Sequence, residues 1–116
     1  MAQELPLLKG TVDMLVLKAL SWGPMHGFGI SLWLDTHSKG SLGLDDSSMY
    51  QVLHRLEERK LVSAEWRTTD NNRRARVYTL TRAGRAQLDA QTDTWLRYSR
   101  VVTALMTARP RTTGST

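Results

Sequence analysis

Residues 47–80 read SSMYQVLHRLEERKLVSAEWRTTDNNRRARVYTL, and this stretch decides the fold. Its first half spaces apolar residues three and four apart, as in a helix with one buried stripe, and predicts a helix over about 47–60. The stripe consists of Met49, Val52, Leu53 and Leu56. The second half alternates as strands do, over 61–69 and 76–80. The Asp and Asn residues between the two strands tolerate the left-handed backbone of a hairpin tip, so a helix followed by a hairpin is predicted.

Two further helices are predicted upstream, over about 9–21 and about 26–38, each with apolar residues on one face. Gly27 and Gly29 at the start of the second helix resemble part of a phosphate-binding loop. No predicted strand precedes them and no third glycine follows, so a close approach of two helices is the preferred interpretation. The alternation over 41–44 predicts a short strand, and Asp45 and Asp46 are expected to cap the helix that follows rather than to act as an acid–base pair.

A long final helix is predicted from the N-cap Thr81 to about Met106. At 1.5 Å per residue it extends roughly 39 Å, comparable with the diameter of the whole domain, so much of it would overhang a single copy. Its spacings of four and three predict a seam with a second copy of the chain. That seam consists of Leu88, Thr92, Trp95, Ser99, Val102 and Met106. Because the seam includes polar positions, a helix folded back on its own core remains the alternative.

The order of these elements predicts an α+β, mainly α fold of the winged helix-turn-helix type. The winged helix-turn-helix DNA-binding domain, with its N-terminal helix, would occupy residues 1–80. The dimerisation helix would occupy residues 81–108, and a disordered polar tail would occupy residues 109–116. In this arrangement the helix over 47–60 is the recognition helix, and the hairpin is the wing.

The basic charge is concentrated in the same part of the chain. The 116 residues carry a net charge of +5, and the window 55–85 holds nine basic and four acidic residues, so it accounts for all of that charge. Eight of the nine are arginine, whose planar fork suits phosphate and guanine edges. The outward face of the recognition helix and the wing therefore predict contacts with duplex DNA. Base reading is assigned to Ser48, Tyr50, Gln51 and His54, and phosphate or groove contacts are assigned to Arg55, Arg73, Arg74 and Arg76.

Other classes of function are disfavoured by the sequence. There is no cysteine, and the three histidines stand 11 and 17 residues apart, which is not a metal-ligand spacing, so neither a metal nor a cofactor is expected. No nucleophile lies beside a recognisable base, so no enzymatic activity is expected. The longest apolar run, residues 14–17, is far too short to cross a bilayer, and a cytoplasmic protein is expected. Trp22, Trp33 and Trp66 are interpreted as core or core-edge residues.

Four segments carry a family resemblance: LLKGTVDMLVLKAL, GPMHGFGI, SSMYQVLHRLEERKLVSAEW and RRARVYTLTRAGRAQL. Over about residues 7–88 the chain resembles the PadR family of bacterial transcriptional regulators, and is similar to its short subfamily. The resemblance implies a winged-helix dimer that represses transcription and is often released by a small molecule. It places the family's recognition-helix tyrosine on Tyr50, its His-Arg-Leu-Glu run on 54–57 and its basic wing on Arg73 and Arg74. Gln51 departs from the family, in which proline is common at this position.

Two hypotheses of function follow. In the first, the chain is a homodimeric repressor of an inverted-repeat operator, released by a small aromatic or cationic effector that stacks on Trp95 at the dimer seam. Ordinary interface packing is the alternative role of Trp95. In the second hypothesis, the winged helix is a protein–protein interaction module without specific DNA binding, and its basic window pairs with an acidic partner.

Overall fold

The computed structural model describes residues 10–111, which form four helices and a three-stranded antiparallel sheet. The helices are α1 (Val12–Leu20), α2 (Gly27–His37), α3 (Asp46–Glu58) and α4 (Arg82–Met106). The strands are β1 (Met25–His26), β2 (Val62–Thr68) and β3 (Arg74–Leu80). Three helices, a hairpin of β2 and β3, and one long final helix are the architecture of a winged helix, as the element order predicted.

The three short helices and the sheet enclose one apolar core. The stripe predicted for α3 is buried, and it packs with α1, α2, the start of the hairpin and the first turns of α4. Gly27 brings α2 close to α3, because a Cβ at this position would lie 3.7 Å from both Leu53 and Met49. The helix–helix interpretation of this glycine therefore agrees with the contacts. The main core residues outside α3 are Val16, Leu17, Leu20, Ile30, Leu34, Val62, Tyr78 and Leu88.

The strand predicted over 41–44 is wrong. The hydroxyl of Ser38 accepts a hydrogen bond from the backbone N–H of Leu42 at 2.9 Å and donates one to its carbonyl at 3.1 Å, so this segment is held as a loop. The third strand instead is β1, before α2, where Met25 pairs with Tyr78 and His26 with Val77. Strand β3 therefore lies in the middle of the sheet, in the order β1-β3-β2.

Two predicted boundaries extend beyond the described residues. Residue 9, at the start of the helix predicted over 9–21, lies outside them, whereas Gly10 and Thr11 are described and precede α1, which begins at Val12 after the N-cap Thr11. Of the predicted tail, residues 112–116 lie outside them as well, and 109–111 belong to no helix or strand.

Two tryptophans expected at the core are largely exposed. Trp22 is 63% exposed just after the end of α1, where its ring contacts the rings of Trp33 and His37 edge-on. Trp66 is 57% exposed because the outer half of the hairpin extends beyond the helices. Of the three expected core tryptophans, only Trp33 is partly buried against the core.

The first turn of α4 is hydrogen-bonded to the turn that connects α3 with β2. The Thr81 hydroxyl donates to the Lys60 carbonyl at 2.8 Å and accepts from the Gly84 N–H at 3.0 Å, as an N-cap does. The Thr81 N–H donates to the Leu61 carbonyl at 3.1 Å. A Cβ at Gly84 would lie 2.0 Å from that same carbonyl oxygen, so only glycine fits this close approach of helix and backbone.

Replacing this glycine is expected to destabilise the protein. Gly84→Ala should lower the free energy of unfolding by about 1–3 kcal/mol, because the methyl group must displace backbone that is held by the Thr81 hydrogen bonds. Gly43→Ala is the matched control, since a Cβ there meets no atom within 4 Å. Urea unfolding at one protein concentration measures both values. Equal stability of the two variants would show that α4 does not approach Leu61 so closely.

Candidate nucleic-acid interface

Helix α3 presents one apolar face to the core and one polar face to solvent. Its start is capped by Asp45, whose carboxylate accepts a hydrogen bond from the Ser48 N–H at 2.7 Å, and this backbone hydrogen bond lowers the pKa of Asp45. Of the residues assigned to base reading, Tyr50, Gln51 and His54 are exposed, whereas Ser48 is half-buried in the capped first turn. The exposed face is therefore formed by three of the four predicted residues.

Side chains on the exposed face of α3 contact one another. The rings of Tyr50 and His54 lie parallel, with an interplanar angle of 1° and centroids 6.4 Å apart. His54 Nε2 lies 3.7 Å from a carboxylate oxygen of Glu58 one turn further on. Tyr50 is 69% exposed, so its hydroxyl is open to a partner. The face thus offers hydroxyl, amide and imidazole groups, all of which can hydrogen-bond to base edges.

The hairpin tip projects two arginines. The turn is closed by hydrogen bonds from the Thr69 N–H to the Arg73 carbonyl at 2.7 Å and from the Asn72 N–H to the Thr69 carbonyl at 2.9 Å. Asn72 has φ +60°, the left-handed conformation expected at such a tip. Arg73 and Arg74 are both exposed, and within residues 10–111 no carboxylate lies within 4 Å of either guanidinium. Their charge is therefore available to an external anion.

The other two arginines assigned to DNA are paired with carboxylates of neighbouring elements. Arg55 donates to Asp13 of α1 through Nη2 at 2.5 Å and through Nε at 3.3 Å, and this hydrogen bonding raises its pKa. Arg59 approaches the same carboxylate at 3.9 Å. Arg76 donates through Nη2 to Glu57 of α3 at 2.7 Å. Both predicted phosphate ligands thus already have a carboxylate partner, so in this structure they tie α1 to α3 and the wing to α3.

A cleft of about 700 Å³ separates the wing from α3 and the start of α2. Exposed aromatic rings and arginines share its wall. They are Phe28, Tyr50, Trp66, Arg73, Arg74 and Arg76. Sequence reasoning gave Phe28 no role and interpreted Trp66 as a core or core-edge residue, so neither was expected at this cleft. The available signal for Trp66 was its position two residues before the end of β2, too close to the hairpin tip for the core to cover.

A second cleft, of about 490 Å³, lies between α1 and α4. Met14 of α1 lines one side, and Gln91, Trp95 and Tyr98 of α4 line the other. Trp95 is half-buried here, with its ring 6.5 Å from that of Tyr98. The side-chain oxygen of Gln91 is buried with no hydrogen-bond partner among the residues that the structure describes. The cleft combines an aromatic wall with one unused hydrogen-bond acceptor.

Only some of the residues predicted to form the seam along α4 are exposed. Leu88 is 4% exposed in the core of its own chain, so it is not available to a second copy. Thr92 is exposed, Ser99 is half-buried, and Val102 and Met106 are exposed. The apolar side chains left exposed at the spacing of one helix face are Tyr98, Val102 and Leu105.

Neither a metal-binding cluster nor a membrane-spanning helix is present in the described part of the chain. Across residues 10–111, no group of three or more His, Asp or Glu side chains is placed to hold a metal ion. Within the same range, no helix is both long and apolar enough to span a membrane.

The comparisons with known proteins agree with this architecture. A PadR-like transcriptional regulator from Bacillus cereus ATCC 14579 has a TM-score of 0.76 at 24% identity, over 88% of this chain and 97% of that one. A PadR family transcriptional regulator from Eggerthella lenta DSM 2243 has a TM-score of 0.75 at 25% identity, over 87% and 86% of the two chains. A 37.1 kDa protein of transposon TN4556 from Streptomyces fradiae is 38% identical over 87 residues, which span 75% of this chain and 24% of that protein.

The PadR-like transcriptional regulator family matches residues 16–90. This range contains α2, α3, the hairpin and the first turns of α4. The resemblance noted from the four sequence segments is therefore confirmed. The chain belongs to the PadR-like family of transcriptional regulators, and its fold is a winged helix.

Proposed function

We propose that the chain is a homodimeric repressor that binds an inverted repeat in duplex DNA. The exposed polar face of α3 would enter the major groove, and the wing would lie along the sugar–phosphate backbone. The observation that carries this proposal is the pair Arg73 and Arg74, exposed and without a carboxylate within 4 Å in residues 10–111, beside the open polar face of α3. A domain that binds an acidic protein remains the competing function, and duplex binding by the purified chain separates the two.

The proposal divides the polar residues by role. Gln51 can form two hydrogen bonds with an adenine edge, and Tyr50 and His54 flank it on the exposed face. Arg73 and Arg74 neutralise phosphates without reading sequence. Arg55 and Arg76 act indirectly, since the Arg55–Asp13 pair joins α3 to α1 and the Arg76–Glu57 pair joins the wing to α3.

Two kinds of substitution distinguish residues that contact phosphates from a residue that reads bases. Arg73→Ala and Arg74→Ala should each weaken binding to all duplexes alike, and should each flatten the slope of log K against log salt by about 0.9 per protomer. Gln51→Ala should instead cost about 1–3 kcal/mol on the preferred operator, with little change on unrelated DNA. Fluorescence anisotropy with labelled duplexes at several salt concentrations measures both effects.

Arg97→Ala is the matched control, because it removes the same charge from the exposed side of α4. It should leave the affinity and the salt slope unchanged. If the wing variants altered sequence preference and the Gln51 variant altered only the salt slope, the assigned roles would be reversed.

Dimerisation is supported by the exposed apolar half of α4. Tyr98, Val102 and Leu105 lie at spacings of four and three and are exposed in the single chain. At 1.5 Å per residue, the 25 residues of α4 extend about 38 Å, so its second half reaches beyond the core. Pairing of two copies would bury this stripe and would place two recognition helices about one helical turn of DNA, roughly 34 Å, apart.

A charge on the stripe should separate the copies. Leu105→Glu would place an uncompensated carboxylate in the stripe that each copy buries, so the mass in sedimentation equilibrium should fall from twice 13.1 kDa to 13.1 kDa. Arg100→Glu, on the opposite side of the helix, should remain a dimer. A parent protein that is monomeric at micromolar concentration would refute the seam.

The proposed effector site is the cleft between α1 and α4. The rings of Trp95 and Tyr98 would stack on a planar aromatic or cationic compound, and the Gln91 oxygen would accept a hydrogen bond from it. Titration of such compounds against the complex of protein and DNA, followed by anisotropy, should release DNA from the parent and not from Trp95→Ala. Equal release from both proteins would remove Trp95 from the effector site.

A further inference from the structure

Trp66 lies on the same face of the hairpin as two arginines. It is the cross-strand partner of Arg76, while Arg74 pairs with Thr68 one step nearer the tip on that face. The guanidinium carbon of Arg74 lies 5.1 Å from the centroid of the Trp66 ring, and that of Arg76 lies 6.0 Å from it. Both distances are within the range of cation–π interaction. The Trp66 indole therefore contacts two guanidinium groups.

The inner end of this group is fixed to the recognition helix. Arg76 donates to Glu57 of α3 at 2.7 Å, and the contact is partly buried. The outer end, Arg74, has no carboxylate within 4 Å among residues 10–111. A continuous series of contacts therefore leads from Glu57 through Arg76 and Trp66 to Arg74.

The exposure of Trp66 requires an explanation other than core packing. Trp66 is 57% exposed, although its strand neighbours on the same face, Val62 and Ala64, pack in or against the core. A free arginine side chain populates many rotamers, and binding a phosphate restricts it to a few. An aromatic surface beneath the guanidinium restricts it before DNA arrives, which reduces the ordering cost of binding.

We propose that Trp66 is a positioning residue for DNA binding, which holds Arg74 ready for a phosphate at the wing. The proposal rests on the proposed DNA-binding function and adds to it a residue with no assigned role. Glu57 and Arg76 orient the indole relative to α3, and the indole in turn orients Arg74. The wing thereby delivers its charge at a defined distance from the recognition helix.

A double-mutant cycle tests this coupling. Trp66→Leu keeps an apolar side chain but removes the π surface, and should weaken binding of a dimer that uses both wings about 5- to 30-fold. In an Arg74→Ala background the same substitution should cause little further loss, since there is no guanidinium left to position. Trp66→Phe should retain most of the affinity. Equal losses from Trp66→Leu in both backgrounds would overturn the proposal, because Trp66 would then act independently of Arg74.

Two controls separate this role from a structural one. Trp22→Leu also removes an exposed indole, one that contacts Trp33 and His37 rather than an arginine, and should leave DNA affinity unchanged. Thermal unfolding of Trp66→Leu should resemble that of the parent protein. A large fall in its unfolding temperature would assign the effect to stability and overturn the positioning role.

A measurement without DNA distinguishes failure of this proposal from failure of the proposed function. In NMR spectra of the free protein, the indole ring current should shift the side-chain protons of Arg74 upfield, and Trp66→Leu should abolish the shift. Absence of the shift in a parent protein that binds duplex DNA overturns the positioning role alone. A shift in a parent protein that binds no duplex overturns the proposed function and, with it, any DNA role of Trp66.

Discussion

Burial of one stripe of α3 is the constraint on which the rest of the structure depends. Met49, Val52, Leu53 and Leu56 are each at most 5% exposed, and each contributes about 1.5–3 kcal/mol by leaving water. Rotating the helix by one residue, or 100°, would expose these side chains and bury polar ones in their place. The apolar stripe therefore decides that Tyr50, Gln51 and His54 face outward. The surface proposed to read DNA is a consequence of the packing of the core.

The ion pairs determine which positive charges remain available. The sequence shows a single basic window, but the fold divides its arginines into two groups. Arg55 and Arg76 have carboxylate partners on neighbouring elements, Asp13 and Glu57, whereas the arginines of the wing tip have no carboxylate within 4 Å in residues 10–111. Because these pairs are partly exposed, each stabilises the fold by only about 0–1 kcal/mol. Their main consequence is geometric: they join α1 to α3 and α3 to the wing.

Local patterns in the sequence were sufficient for most of the fold and for part of the site. The stripe of α3, the hairpin tip and the Thr81 cap depend on residues close together in the chain, and each was predicted. The pairing of β1 with β3, the Asp13–Arg55 pair and the burial of Leu88 depend on distant residues. Asp13 and Arg55 are separated by 42 positions, and no periodicity reveals such a contact. The exposure of Trp66 was missed for the related reason that alternation gives the face of a strand, not how far the core extends along it.

The central claim is that one surface, formed by the outer face of α3 and the tip of the wing, contacts duplex DNA. Backbone amide shifts in NMR spectra, followed during titration with a duplex that the protein binds, test it most directly. The largest changes should fall on residues 48–54 and 69–74, with the exposed side of α4 unaffected. Changes concentrated on α4 or at the α1–α4 cleft, with residues 48–54 and 69–74 unaffected, would contradict it.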